Sequence, residues 1–298
     1  MTILKHKINS IQSITIDREE ILILENKLLN PETIELISNY SQLRLYGDYK
    51  RELNNLPDSI KYLYLGHGYN LPLNNLPNLI KLSLGNKYNQ PLDNLPLTLK
   101  ILILGEKFNQ PLDNLPNELE EIYLSTDFNQ SLNNLPDSVR IISFTNSLHN
   151  SKFNKPINKL PKSLIKLKLV SQYFNTPLIF PENLTNLELA SCPKFNQKII
   201  LPNNLNTLEL GESFNQEITS FPETIQIIII YSDYQYSLKN IKYNNKYLSL
   251  YLPNFKLHPD NLPDNFTVIT LSKNYKYKKE IENKYNKILI RYENDNIY

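Results

Sequence analysis

The chain is short of most of the residues that carry chemistry or covalent structure. Its 298 residues include one cysteine, one methionine and no tryptophan. A single thiol, Cys192, excludes an internal disulfide framework and fits a reducing compartment. Ala190 is the only alanine, and together with 19 prolines this disfavours helix. The longest apolar run, Ile227 to Tyr231, is far too short to span a bilayer. The opening MTILKHKINSIQS has neither the apolar core nor the small-residue cleavage site of a signal peptide, so an intracellular, cytoplasmic location is expected. A net charge of +2 gives no strong field, so neither nucleic acid nor a membrane is an expected partner.

Catalytic and metal-binding patterns are missing too. The histidines, His6, His67, His149 and His258, are far apart, and a metal site or catalytic base needs convergent partners. No phosphate-binding glycine loop, GxSxG or HExxH is present. Cys192 sits in a loop-like SCPK with no histidine nearby and reads as an inert thiol. The expectation is no enzyme activity, no cofactor and no metal. The C-terminal YKYKKE (275–280) mixes tyrosine with lysine in the manner of single-strand binders, but a solvated cap is the better reading of one such patch.

What the chain has in abundance is repetition. Residues 87–96 read KYNQPLDNLP, 107–116 read KFNQPLDNLP and 127–136 read DFNQSLNNLP. The closing proline recurs at Pro57, Pro77, Pro96, Pro116, Pro136, Pro161, Pro181, Pro202 and Pro222, in steps of 19–21 residues with one step of 25. The long step holds an insertion near Asn146 to Ser151, expected as a loop. After each proline comes L-x-x-L-x-L, as in Leu99, Leu102, Leu104 and in Leu205, Leu208, Leu210. Its period of two predicts a short strand with one face buried. Gly66, Gly85, Gly105 and Gly211 follow directly, where glycine is expected to let the chain turn out of the sheet.

An aromatic column comes next: Tyr69, Tyr88, Phe108, Phe128, Phe153, Phe174, Phe195 and Phe214. An asparagine follows each: Asn70, Asn89, Asn109, Asn129, Asn154, Asn175, Asn196 and Asn215. The aromatics are expected to form a buried structural spine. The asparagine amides, which both donate and accept, are expected to satisfy turn backbone in neighbouring coils. Weaker copies extend the pattern, upstream to Leu43, Leu45 and Tyr49, and downstream to a strand on Leu248 and Leu250 and another on Ile269 and Leu271.

A twenty-residue unit cannot bury its own apolar side and must stack on its neighbours. It is also too short for a strand, a full helix and two turns. The predicted fold is mainly β: a right-handed parallel-strand solenoid of leucine-rich-repeat type. It would have about twelve coils of about 20 residues, an extended, polyproline or 3-10 return side, and little helix. The expected layout is an N-terminal cap over 1–37, with a possible short helix in PETIELIS, repeats over 38–272 and a C-terminal cap over 273–298.

The tetrads FNQP (108–111), YNQP (88–91), FNKP (153–156) and FNTP (174–177), set in F-N-Q-P-L-x-N-L-P-x-x-L-x-x-L-x-L-G, resemble the FNIP repeat, a relative of leucine-rich repeats. The resemblance covers roughly residues 38–272. It implies a binding scaffold without known catalytic activity, from a family common in giant DNA viruses and social amoebae. Some members carry an F-box that recruits a ubiquitin ligase, so a substrate-recognition adaptor is the alternative reading. The residues ahead of the first copy, however, hold no L-P-x-E-opened helical bundle.

In such a solenoid the middle residue of L-x-L faces outward. That column runs Arg44, Tyr64, Ser83, Ile103, Tyr123, Ser143, Lys168, Glu188, Glu209, Ile229 and Thr270. Arg44, Tyr64, Ile103, Tyr123, Lys168, Glu188 and Glu209 are the candidate binding residues. Tyr64, Ile103 and Tyr123, bordered by Lys61, Lys81, Lys100 and Glu121, form an apolar centre with a charged rim, the anatomy of a protein-binding patch. The expected partner is a protein, and the expected state of the chain is a monomer.

Overall fold

The computed structural model describes residues 14–16, 21–25, 31–144, 151–242 and 247–293. The chain divides into two units, residues 1–130 with 134–139, and residues 131–133 with 140–298. The first holds β1 (Ile14–Ile16), β2 (Ile21–Glu25), α1 (Pro31–Ile37), β3 (Gln42–Tyr46), β4 (Tyr62–Tyr64), β5 (Lys81–Ser83), β6 (Ile101–Ile103) and β7 (Glu121–Leu124). β1 pairs antiparallel with β2, and from β2 to β7 each strand pairs parallel with the next.

The second unit holds β8 (Ile141–Phe144), β9 (Lys166–Lys168), β10 (Asn186–Leu189), β11 (Thr207–Leu210), β12 (Ile227–Ile230), β13 (Ser249–Leu252), a 3-10 turn (Pro259–Asn261), β14 (Val268–Ser272), α2 (Lys278–Lys284) and β15 (Leu289–Glu293). Its strands also pair parallel in sequence order. The twelve strands β3–β14 stand one per coil of a leucine-rich-repeat-type solenoid, and all but β13 fall where the repeat puts them. The two helices are seven residues each.

Eight of the nine repeat prolines close their coil by the same short-range bond. The carbonyl of the repeat proline accepts from the amide three residues on, as in Leu99 to Pro96, Leu119 to Pro116 and Leu205 to Pro202, all at 3.1 Å. Proline needs no partner for a missing N–H, and its carbonyl opens the turn that aims the chain into the strand. The inward residues Leu63, Leu82, Leu102 and Ile122, and in the second unit Leu167, Leu187, Leu208 and Ile228, are all fully buried. Each such side chain contributes about 1.5–3 kcal/mol on leaving water.

The aromatic column lies beside them. Tyr49, Tyr69, Tyr88, Phe108 and Phe128 stack with centroids 6.3–6.5 Å apart. Phe153, Phe174, Phe195, Phe214 and Tyr234 stack at 5.8–6.3 Å. Phe255 and Tyr275 extend the pattern at 6.3 Å. Tyr275 belongs to YKYKKE, so one tyrosine of that patch is core.

Some expectations change. The chain does turn at Gly66, Gly85, Gly105 and Gly211, whose carbonyls accept from the amides three residues on, but without positive φ, which among the six glycines only Gly47 has, at 65°. Close approach is what calls for glycine at Gly85 and Gly105. A Cβ on Gly85 would lie 1.8 Å from the Gly66 carbonyl oxygen, and one on Gly105 would lie 1.9 Å from that of Gly85. The strand placed on Leu248 and Leu250 lies two residues later, with Leu250 opposite Ile228 and Leu252 opposite Leu271. Leu248 is buried ahead of the strand, a core position the reading took for a strand position. The shift makes Tyr251 the outward residue of that coil. Thr270 is buried at 7% exposure and does not belong to the outward surface.

The repeat register also runs into the expected caps. Leu22 and Leu24 of β2 sit opposite Leu43 and Leu45, and Ile290 of β15 sits opposite Ile269. The helix expected in PETIELIS is α1. The loop expected near Asn146 to Ser151 lies outside the described residues except for Ser151, which is buried.

Candidate interaction surface

Two of the three candidate columns are turned inward or into the turns. Tyr69, Tyr88, Phe108, Phe128, Phe153, Phe174, Phe195 and Phe214 are fully buried. The asparagines form ladders. Asn89, Asn109 and Asn129 each donate their amide N–H to the Oδ1 of the asparagine one coil back, Asn70, Asn89 and Asn109, at 2.8 Å. Asn196 and Asn215 do the same to Asn175 and Asn196 at 2.9 and 2.8 Å. Asn154 is exposed at the start of the second unit's column. A glutamine beside the asparagine adds a rung the sequence reading missed. Gln110 and Gln130 donate through Nε2 to the backbone and side-chain oxygens of Asn89 and Asn109 at 3.1–3.3 Å. The signal was in the quoted NQP: glutamine follows the column asparagine in five of the eight copies.

The outward surface of β3–β7 is set by register. One row is Gln42, Tyr62, Lys81, Ile101 and Glu121, and the next is Arg44, Tyr64, Ser83, Ile103 and Tyr123. Apart from Arg44, the second row is half-buried by its neighbours. The Arg44 guanidinium lies 5.0 Å from the Tyr64 ring centroid and the Lys81 ammonium 5.5 Å. Tyr123 Oη donates to Glu121 Oε2 at 2.9 Å, and burial followed by that bond raises the phenol pKa. Of the expected rim, Lys100 is taken by Glu120 at 2.6 Å, and Lys61 donates to the Asn78 carbonyl at 3.3 Å. Tyr62 and Ile101 were missed as patch members. They lie two residues before the chosen column, on the same face, so strand alternation could have found them.

The second unit's outward surface is different. Lys168, Glu188 and Glu209 are consecutive in one row, between Ser143 and Ile229. Glu188 holds Lys166 at 2.5 Å and Lys168 at 3.6 Å. Burial and the Glu188 charge hold the Glu209 carboxyl above its usual range, partly offset by Lys168 and Lys166. Glu188 thus answers both lysines, whereas Glu209 makes no ion pair within 4 Å among the described residues. Beyond it the row turns apolar through Ile229 and Tyr251, and Tyr251 tilts against Tyr231 at 5.6 Å. An open hollow of about 460 Å³ near the C-terminal ends of β9–β11 is lined by Val170, Ala190, Pro193, Glu212 and Tyr231 among others.

Nothing described assembles a reactive centre. Cys192 is buried, its thiol pushed up to about 12 by desolvation, with Sγ donating to the Leu169 carbonyl at 3.5 Å. His67 is exposed, and His258 accepts from the Asp260 amide at the start of the 3-10 turn. His6 and His149 lie outside the described residues. Among the described residues no group of three or more His, Cys, Asp and Glu could hold a metal ion, and no helix is long and apolar enough to cross a membrane.

A one-strand coil of about twenty residues, stacked by an aromatic spine and an asparagine ladder, defines a leucine-rich-repeat-like solenoid. Within that class the chain carries FNIP repeats: the family described as FNIP Repeat matches residues 88–127, 108–147 and 195–233. Among solved structures the chain is similar to CroV588, described as a novel circular leucine-rich-repeat protein. Identity is 27% and the TM-score 0.63, over 89% of this chain and 48% of that one. It also matches YopM from Yersinia enterocolitica WA-314 at 19% identity and a TM-score of 0.47, over 78% of this chain and 54% of that one. The chain thus spans about half the length of these structures. No curated protein matches it in sequence.

Proposed function

We propose that the chain is a non-enzymatic scaffold that binds a protein partner through the outward rows of β4–β7. The observation that carries this reading is the pairing of the two rows. Tyr62 and Tyr64 on β4, Ile101 and Ile103 on β6 and Tyr123 on β7 place aromatic and aliphatic surface on both sides of Lys81 and Ser83 of β5. Their backbones are fixed by the ladder, so little conformational entropy is lost on binding. Solvated surface has no need of three tyrosines and two isoleucines in register, whereas interface centres are enriched in such residues. The Lys168, Glu188 and Glu209 stretch fits less well, since it offers no apolar centre and its lysine is already answered by Glu188. The adaptor alternative needs a helical box ahead of the repeats. The segments described there are β1, β2 and the seven-residue α1, so it is the weaker reading.

The test is capture from the native cellular context with purified tagged chain, read by mass spectrometry. Wild type is compared with Tyr64→Glu/Tyr123→Glu and with Leu97→Glu, a control at an exposed apolar residue in the turn before β6. All three must first give the same circular dichroism spectrum. The expected result is a partner lost only from the double variant. A partner retained by the double variant, or lost equally from the control, overturns the assignment.

A further inference from the structure

Two cations on the β3–β7 surface are held in place without a carboxylate. Arg44 and Lys81 both lie over the Tyr64 ring, at 5.0 and 5.5 Å from its centroid, so their charges are at most about 10.5 Å apart. Neither makes an ion pair within 4 Å among the described residues. The one carboxylate in the outward rows of β3–β7 is Glu121, and it accepts from Tyr123 Oη. Several other carboxylates of this unit are engaged elsewhere. Asp48 faces Lys87, Glu52 accepts from Asn54, Glu106 from Asn86, Glu120 from Lys100 and Asp127 from Lys107. The second unit shows the contrasting arrangement, with Lys166 and Lys168 both answered by Glu188 on the next strand.

Building on the strand-face reading above, we infer that this surface receives an extended acidic segment of a protein partner, with carboxylates set against Arg44 and Lys81 and an apolar side chain against Ile101 and Ile103. Three features select that chemistry. The unanswered charge is positive, and complementary charge is what fixes partner and register at an interface. The cations flank an aromatic ring, so they are pre-ordered and lose little freedom on pairing. Charges no more than about 10.5 Å apart fall within the span of an extended chain, where each residue advances about 3.3 Å, so carboxylates at most two or three positions apart reach both. Ile101 and Ile103 lie one strand further on from Lys81, which places the apolar side chain just past the acidic pair.

The experiment is a selection of nine-residue displayed peptides on the folded full-length chain, followed by affinity measurement of the enriched peptides as synthetic, labelled probes. The expected outcome is enrichment of Asp or Glu two or three residues apart, next to an aliphatic or aromatic residue. Arg44→Gln/Lys81→Gln should weaken those peptides at least about fivefold, and added salt should weaken them further on wild type. Enrichment without acidic residues, binding indifferent to Arg44→Gln/Lys81→Gln, or no enrichment at all overturns the inference. Tyr64→Glu/Tyr123→Glu separates the two readings. Non-acidic peptides lost only from that variant would keep the strand face and remove the acidic partner. Peptides retained by both double variants would remove the strand face as well. A labelled oligouridine that binds the chain and is released by Arg44→Gln/Lys81→Gln would give the surface to nucleic acid and overturn the proposal.

Discussion

The aromatic spine contains an internal experiment, because its tyrosines are of two kinds. Tyr69 and Tyr88 are fully buried and their hydroxyls find no partner among the described residues. Desolvation drives both phenol pKa values far above the usual tyrosine range. Tyr234 and Tyr275 are just as deep in the column, yet their hydroxyls are used. Tyr234 Oη accepts from the Ile218 amide at 3.2 Å, and Tyr275 Oη donates to the Leu257 carbonyl at 2.7 Å. The same substitution, Tyr to Phe, should therefore have opposite signs at the two kinds of site. Phe108 shows that the ring alone fits, since it stacks on Tyr88 at 6.4 Å and 9°.

The magnitude follows from the hydroxyl. A buried polar group without a partner costs about 1–3 kcal/mol, and removing it recovers that cost. The oxygen leaves a void of about 10–15 Å³, which costs only about 0.3 kcal/mol at about 24 cal/mol per Å³. Tyr88→Phe should thus stabilise its coil by about 1–2 kcal/mol. Tyr234→Phe should destabilise by about 1–2 kcal/mol, because the Ile218 N–H is left alone. A solenoid need not unfold in one step, so a local probe is best. The Tyr88 and Phe108 amides donate to Gly85 and Gly105 at 3.0 and 3.1 Å, and their hydrogen exchange should slow by about tenfold in Tyr88→Phe. Faster exchange there, or a Tyr234→Phe chain as stable as wild type, would refute the hydroxyl argument.

Other perturbations test the remaining devices of the coil. Phe108→Ala removes a fully buried ring between two stacked neighbours and should cost about 3–5 kcal/mol in a denaturant melt. Asn109→Ala strips the acceptor from the Asn129 amide and from Gln130 Nε2, and should cost about 1–3 kcal/mol, with the Asn129 amide exchanging faster. Gly85→Ala sets a methyl 1.8 Å from the Gly66 carbonyl oxygen and should destabilise more than alanine does at Gly47, which has open space but positive φ. Alkaline pH should also weaken the fold. The Tyr234 phenol is pushed up to about 12 in the folded chain, against 10 when unfolded, so its contribution is intact below pH 10 and is lost as pH rises towards 12. A melting temperature unchanged between pH 9 and 11.5 would contradict this.

The fold was legible because each device of the coil repeats in sequence. A period near 20 gives the coil, the alternation in L-x-L gives the buried face, and a recurring aromatic gives the spine. Where a column lost its letters, the reading slipped. Around Leu248–Leu252 three leucines at alternate positions offer two equivalent strands, and only pairing with Ile228 and Leu271 chooses between them. The turn at each glycine was legible, but the need for glycine there was not, for a similar reason. The carbonyl that forbids a Cβ at Gly85 belongs to Gly66, nineteen residues away, and no local pattern announces it.

The surface was less legible, because facing is periodic but pairing is not. Alternation places Lys168, Glu188 and Arg44 outward with equal force. It does not say that Lys166 and Lys168 meet Glu188 across a strand boundary while Arg44 meets only a tyrosine ring. That difference separates a surface that has answered its own cations from one with positive charge left to offer. Ion pairs between coils join residues about twenty apart, as Lys100 with Glu120 and Lys107 with Asp127 also do. In a repeat of this length they become local only once the coils are stacked. The column positions that vary most in sequence therefore have to be read one rung at a time, each against its neighbours in register. On that criterion Arg44 and Lys81 stand out from the other strand-face cations of β3–β11, Lys166 and Lys168, which Glu188 answers.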